Sequence, residues 1–530
     1  MAAVAESASS ANDESEKDFR LGYVTDVEGN LDYFQRYVEL SNVLTIRKES
    51  SPQNLVLDFT DKNNNYFVYG GDTVDKGPGD IRLVRALVDF KRRYPDRVYL
   101  LVGNRDLNKL RFSAELADDD MNRPMEEIPP PHWDPKAPSL LEYLTKKATE
   151  QSISVDQLNT RVNRLHYMLE HTLGCPKTFD FRRQELAILR NVPSTIISDE
   201  DILQSFLDEV EKAEGSLRQY LECANVAVIL GNTLFCHGAV DANTMKFVPR
   251  DDTKFENPLC QPPAKTMIES ARDWTLALNQ YLKVGLQDYQ NRPYWNDDRT
   301  SRGGESLMAL QNRPAMWGRS IVSNCYGDGG CITTESAKQE RLDPDRVSQE
   351  TTNPLVFEKV CSDPMDPDVA KWLLHNNIQR VVVGHKPTGD CPAVLSATYT
   401  GVEIVSADTS FSDAGSIDNR GQALSVVELV GTSKDDNQLQ LRGVLRNGKP
   451  YSSQFPRLHS QGNIDTTQGD ENLGRQLLHD GNYQDDLSSS AAAWWIKVAT
   501  EDSYWLTRGK GRHVEYKEVP KGVLETTNKT

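Results

Sequence analysis

The chain has 530 residues, 38% hydrophobic and 26% charged, and a formal net charge of −18 from 60 basic and 78 acidic side chains. That length exceeds the ~100–200 residues of one ordinary domain, so a large core with insertions or a further module is expected. The acidic balance argues against a duplex nucleic-acid binder held by basic phosphate contacts, and no run reaches the ~18 apolar residues that a membrane span needs.

The first segment, 1–19, is rich in Ala, Ser and Glu and lacks the basic start and apolar core of a signal peptide; it reads as a disordered acidic arm. Short apolar runs at Leu21–Thr25, Phe67–Tyr69 and Tyr99–Val102 predict buried strands, with helices at Leu31–Leu44 behind Asn30 and at Asp80–Tyr94 behind Gly77-Pro78-Gly79. Strand, polar turn, helix, strand marks a layered α/β core. In such sheets ligands bind at the carboxyl ends of strands.

From Leu107 to Glu222 a Pro-rich loop leads into helical segments at Leu140–Glu150, Val155–Leu173 and Ile202–Glu222, which predicts a helical cap over 107–222. Val226–Leu230 and Thr233–Cys236 flank Gly231-Asn232, a hairpin dipeptide. A second insertion is expected over 241–354, with a helix at Pro263–Val284; His132, His166 and His171 of the first read as structural or surface residues. A helix at Asp366–Asn376 then precedes strands at Gln379–Val383, Val402–Ser406 and Ala423–Leu429. The main domain is thus placed at 20–430, a polar irregular linker at 431–490, and a small Trp-rich module with a hairpin about Gly509-Lys510-Gly511 at 491–530. The eight cysteines show no CxxC pair, which suits a reducing, cytoplasmic setting.

Five clusters each end a predicted strand with a potential metal ligand: Asp26-Val27-Glu28-Gly29-Asn30, Gly71-Asp72-Thr73-Val74-Asp75-Lys76-Gly77, Gly103-Asn104-Arg105-Asp106, Cys236-His237-Gly238 and Gly384-His385-Lys386-Pro387. A lone Asp before Gly is more often a turn former than a ligand. Five such clusters in order are much harder to assign to chance.

The series resembles the calcineurin-like metallophosphoesterase superfamily, in its phosphoprotein phosphatase and diadenosine tetraphosphatase-like branch, whose signature runs GDxHG, GDxxDRG, GNHD/E, HG, GH. Pro314-Ala315-Met316-Trp317-Gly318-Arg319 is similar to a Trp-x-Arg segment of bacterial-type members, and Ser406-Ala407-Asp408-Thr409 to the strand that closes the second sheet. The resemblance implies a four-layer α/β/β/α sandwich of two mixed sheets, here with a helical insertion. It implies a cage of Asp26, Glu28, Asp72, Asn104, His237 and His385 around two divalent ions, with Asp72 bridging. Two ions ~3.5–4 Å apart polarise a phosphoryl group and stabilise in-line displacement. Mixed oxygen and imidazole donors suit Mn, Fe, Zn or Mg.

Three positions depart from the family pattern. Glu28 stands where the family has a histidine ligand, which favours Mn or Mg over Zn. Lys76 replaces an arginine that touches substrate phosphate, keeping charge but losing the bidentate fork. Arg105 occupies the place of the catalytic histidine that the Asp75 position orients. Arginine, with a pKa above ~12, cannot act as a general acid near neutrality, and losing that acid typically costs ~10²–10⁴ in rate. Arg105 could instead stabilise developing charge, and Arg319 is a candidate phosphate clamp.

The expected function is therefore metal-dependent hydrolysis of esters or anhydrides of small or nucleotide phosphates, with Asp75 and Arg105 as catalytic candidates and Lys76, Arg105 and Arg319 as substrate contacts. Two alternatives stand beside it: an impaired pseudo-phosphatase that binds a protein partner through its insertions, and a Ser/Thr protein phosphatase.

Overall fold

The computed structural model describes residues 19–128, 130, 137–240, 245–249, 265–311, 367–409, 423–459, 463–477, 494–510 and 513–527. The expectations for Trp317, Arg319, His132 and most of the acidic arm and second insertion lie outside the described residues.

Two mixed sheets face each other. The first has seven strands, ordered Ile464–Asp465, Pro450–Leu458, Asp436–Val444, Leu424–Ser433, Phe19–Val24, Asn65–Tyr69 and Val98–Leu100. Phe19–Val24, Asn65–Tyr69 and Val98–Leu100 run parallel; the others pair antiparallel. The second sheet is ordered Ala393–Leu395, Glu403–Ser406, Arg380–Val383, Thr233–Cys236 and Ala227–Leu230. Its three central strands are parallel.

Side chains alternate across each strand, so one face of each sheet meets the other sheet. Leu21, Tyr23 and Val68 pack with Phe235, Val382 and Val405 in one core between the sheets, and the rings of Tyr23 and Phe235 stack at 5.9 Å. Helices Leu31–Leu40 and Asp80–Arg93 pack with residues of the first sheet, and helices Ala271–Asn291 and Pro367–His375 with residues of the second, all within one further apolar cluster. This is the expected α/β/β/α sandwich.

Parallel strands need crossover connections. Here Leu31–Leu40 and Asp80–Arg93 supply them after the first and second strands of the parallel trio. Asn30 caps the first helix, its Oδ1 accepting from the Tyr33 amide at 3.1 Å. The second starts at Gly79, which offers no side chain; Glu185 of the helical insertion caps it instead, accepting from the amides of Ile81 and Arg82 at 3.0 Å each. The insertion is thereby fastened to the turn that follows Asp75. Its expected helix Ile202–Glu222 is two helices, Asp199–Glu211 and Ser216–Cys223, because Glu209 folds back to accept from Leu217 N at 3.0 Å and cap the second.

The segment 431–490 is not an irregular linker. Asp436–Val444 and Pro450–Leu458 are long strands that extend the first sheet. Their alternation is real but half polar: Leu439 and Leu441 are buried while Gln440 and Arg442 are not. The chain's end forms a four-stranded sheet of Gln476–Leu477, Trp494–Ala499, Ser503–Lys510 and His513–Pro520. Ile496, Val498 and Trp505 share the core between the two main sheets, so this sheet is packed onto the domain. Among the described residues no helix is long and apolar enough to cross a membrane.

Candidate metal centre

Every cluster singled out in the sequence follows a parallel strand at its carboxyl end. Asp26 and Glu28 follow Phe19–Val24, Asp72 follows Asn65–Tyr69, and Asn104 follows Val98–Leu100; His237 and His385 follow Thr233–Cys236 and Arg380–Val383 of the other sheet. The two sheets thus bring these residues to one rim.

The local backbone is forced. Asp26, Glu28, Asp72, Asp75 and His385 all have positive φ, between 51° and 114°. Such conformations cost roughly 1–3 kcal/mol each and persist only where the surroundings fix them. Here Asp26 N donates to Gly71 O at 3.0 Å and Glu28 N to Asp72 O at 3.1 Å, while His385 N donates to Asp26 Oδ2 at 2.9 Å. Gly103 and Gly384 permit the close approach: a Cβ on either would overlap a carboxylate oxygen, of Asp72 or Asp26 respectively.

One pole of the rim could hold an ion. Asp72, His237 and His385 offer ligand atoms within 4.8 Å of one another. His237 Nε2 lies 3.4 Å from Asp72 Oδ2 and 3.3 Å from Asn104 Oδ1. Its Nδ1 stands 2.8 Å from the Gly70 carbonyl. A proton on Nδ1 donated to that carbonyl leaves Nε2 as the donor atom facing Asp72, the arrangement of metal-ligating histidines. Burial alone would lower the pKa of His237, but Asp72 and Asp26 push it up to about 10. Burial, followed by repulsion from Asp408, drives Asp26 well above the usual carboxylate range. The residues fit a divalent ion.

The other pole differs. Asp26, Glu28 and Asp72 also lie within ligand distance of one another. Glu28 is 4% exposed, which rules out a solvent-facing side chain. Both of its oxygens meet cations: Oε1 is 2.7 Å from Arg105 Nε, and Oε2 is 3.1 Å from Lys76 Nζ. Arg105 Nε is also 3.7 Å from Asp72 Oδ2, and its Nη1 is 3.2 Å from Asp75 Oδ2. Burial would lower the pKa of Arg105, but Glu28, Asp75 and Asp72 raise it well above its ordinary value. It is a permanent cation. Lys76, expected on substrate phosphate, is turned onto Glu28.

Three residues of the site went unassigned in the sequence. Asp106 organises the rim, its carboxylate accepting from the amides of Asp72 at 3.0 Å, Thr73 at 2.8 Å and Gly103 at 2.8 Å. Lys109, 2% exposed, lies 2.7 Å from Asp75 Oδ2. Asp408 is buried and acts electrostatically on Asp26 and Glu28. Asp106 and Asp408 were visible inside quoted motifs. Lys109 carried a fainter signal, four residues beyond Arg105 on a helical start.

Residues 19–185 match the family model for calcineurin-like phosphoesterases. That stretch is similar to calcineurin-like phosphoesterases. The matched stretch includes Asp26, Glu28, Asp72, Asn104 and Arg105, together with much of the helical cap. No curated protein sequence matches the chain. Among solved structures, a cold-active protein-tyrosine phosphatase of a psychrophile Shewanella sp. is 13% identical with a TM-score of 0.35, covering 82% of this chain and 80% of that one. A protein serine/threonine phosphatase from Saccharomyces cerevisiae with similarity to human phosphatase PP5 is 11% identical with a TM-score of 0.27, covering 78% and 74%. Likenesses at these scores add nothing on substrate.

Proposed function

We propose that the chain is a metal-dependent phosphohydrolase acting on small phosphate esters or anhydrides with good leaving groups, nucleotides and pyrophosphates among them. The observation that carries this reading is the convergence of Asp72 Oδ2, Asn104 Oδ1 and His237 Nε2, with His385, from two sheets at one buried rim. Asp72, Asn104, His237 and His385 would hold a divalent ion such as Mn through two oxygen and two imidazole donors. Such an ion supplies Lewis-acid polarisation of the phosphoryl group.

The chain's own residues set the rest of the chemistry. Arg105, fixed by Glu28 and Asp75, places a positive charge beside the cage that suits the equatorial oxygens of a transferring phosphoryl group. It cannot protonate a departing alkoxide. Asp75 Oδ2 is taken up by Lys109 Nζ at 2.7 Å and Arg105 Nη1 at 3.2 Å. A leaving group must then depart unaided, which favours phosphate or aryl oxygens over Ser and Thr alkoxides. The helical cap, fastened through Glu185, borders the site and would limit substrate size.

A pseudo-phosphatase that binds a protein partner is the second reading, favoured by the Arg105 and Lys76 contacts that absorb Glu28. Turnover of p-nitrophenyl phosphate against a phosphoserine peptide, both with Mn, separates the two. Hydrolysis of the aryl ester at least 100-fold faster supports the first reading. No hydrolysis of either ester by protein with Mn bound would leave the second.

A further inference from the structure

The site carries its own replacement for a second ion. Asp26, Glu28 and Asp72 are a second group of converging carboxylates, the geometry of an oxygen-rich cation pocket. A divalent ion in that pocket would need the Glu28 carboxylate, since ligand distances for such ions are only about 2.0–2.6 Å. Yet both Glu28 oxygens face protein cations, at 2.7 Å for Arg105 Nε and 3.1 Å for Lys76 Nζ.

The guanidinium is also held on its far side. Its Nη1 meets Asp75 Oδ2 at 3.2 Å and can reach the Leu173 carbonyl at 3.5 Å, while its backbone amide donates to Asp72 Oδ1 at 2.8 Å. Backbone and side chain are thus both anchored to the carboxylates of the rim, so swinging Arg105 away would leave Glu28 and Asp75 each short of a partner. Two like charges ~4 Å apart would repel strongly in so buried a place.

The pole of Asp72, Asn104, His237 and His385, with imidazole and amide donors about one carboxylate, is where a single divalent ion fits.

We infer that this domain is a one-ion site, in which the Arg105 guanidinium, clamped by Glu28 and Asp75, permanently occupies the place of a second metal. The inference rests on the metal-dependent reading above and specifies its stoichiometry.

The test uses the full-length chain, stripped with chelator, dialysed, and titrated with MnCl2. Bound metal is counted by elemental analysis and its state read by electron paramagnetic resonance. Wild-type protein should bind one Mn per chain and show the hyperfine pattern of an isolated ion. The Arg105→Ala and Arg105→Gln variants, checked for folding by circular dichroism, should bind two and show exchange coupling. Two coupled ions in wild type would overturn the one-ion site while leaving metal dependence intact. No bound ion in wild type would overturn both. A folded variant that still binds one ion would overturn the role given to Arg105.

Discussion

Arg105 Nε stands 2.7 Å from Oε1 of Glu28, an ion pair between two positions read in the sequence as departures from the pattern it resembles. The two positions thus meet as one buried ion pair at the candidate metal rim. Removing one member of a buried pair strands the other. Glu28→Ala should lower stability by about 2–3 kcal/mol, below the usual cost for a fully buried pair because Arg105 and Lys76 keep some solvent contact. Urea unfolding of wild type and variant measures this, and an unchanged midpoint would show that the pair contributes little.

Asp72 stands between the two poles, with Oδ2 toward His237 and Oδ1 accepting from the Arg105 amide. Asp72→Asn keeps the amide contact but removes the charge. Calorimetric titration with Mn should show affinity reduced at least about 100-fold, beyond the usual loss from altering groups behind the ligands. Binding at wild-type affinity would remove Asp72 from the cage.

The leaving-group dependence of catalysis should follow residue 105. Arg105→His puts a titratable ring near Asp75, where it could be oriented as an acid. The rate gain should be about 10²-fold on alkyl phosphates and small on aryl phosphates. A uniform change across leaving groups would place Arg105 away from the departing oxygen.

Asp80 gives the fold a pH dependence. Its carboxyl accepts from the Asp75 amide at 3.1 Å and pairs with Arg182 at 3.3 Å. Burial, opposed by Arg182 and reinforced by Glu185 and Asp75, pushes its pKa up to about 8. An unfolded aspartate titrates near ~3.9. Between these values the folded chain holds more protons than the unfolded one, so this contribution to stability declines as pH rises from about 4 to 8. Asp80→Asn should remove the decline. The gap between wild-type and variant thermal midpoints, measured across that range, should shift against wild type with rising pH; a constant gap would contradict it.

Lys497 ties the C-terminal sheet to the metal rim. It is fully buried and donates to the Thr388 carbonyl, in the loop that begins with His385. Lys497→Met should cost about 1–3 kcal/mol by leaving that carbonyl unsatisfied. Chemical denaturation of the full chain measures it, and a neutral result would make the contact incidental.

Much of this was legible from the chain alone. Asp72, Asn104, His237 and His385 were readable because each follows an apolar run and precedes or follows a glycine, a local pattern that needs no knowledge of distant residues. The meeting of Glu28 with Arg105 and Lys76 was not, since it depends on how three strand-end loops are set against one another. Pro450–Leu458 shows a different limit: Tyr451, Ser453 and Phe455 alternate with exposed residues, but serine on the buried face hides the period. Lys109 was missed because its role depends on Asp75, brought near only by the fold.

The most direct test of metal-dependent phosphohydrolysis at this rim is p-nitrophenyl phosphate turnover by the full chain before chelation, after chelation and after reloading with Mn. Activity should vanish on chelation and return with Mn. Hydrolysis that survives complete removal of metal, or its absence from protein shown to hold Mn, would contradict that function.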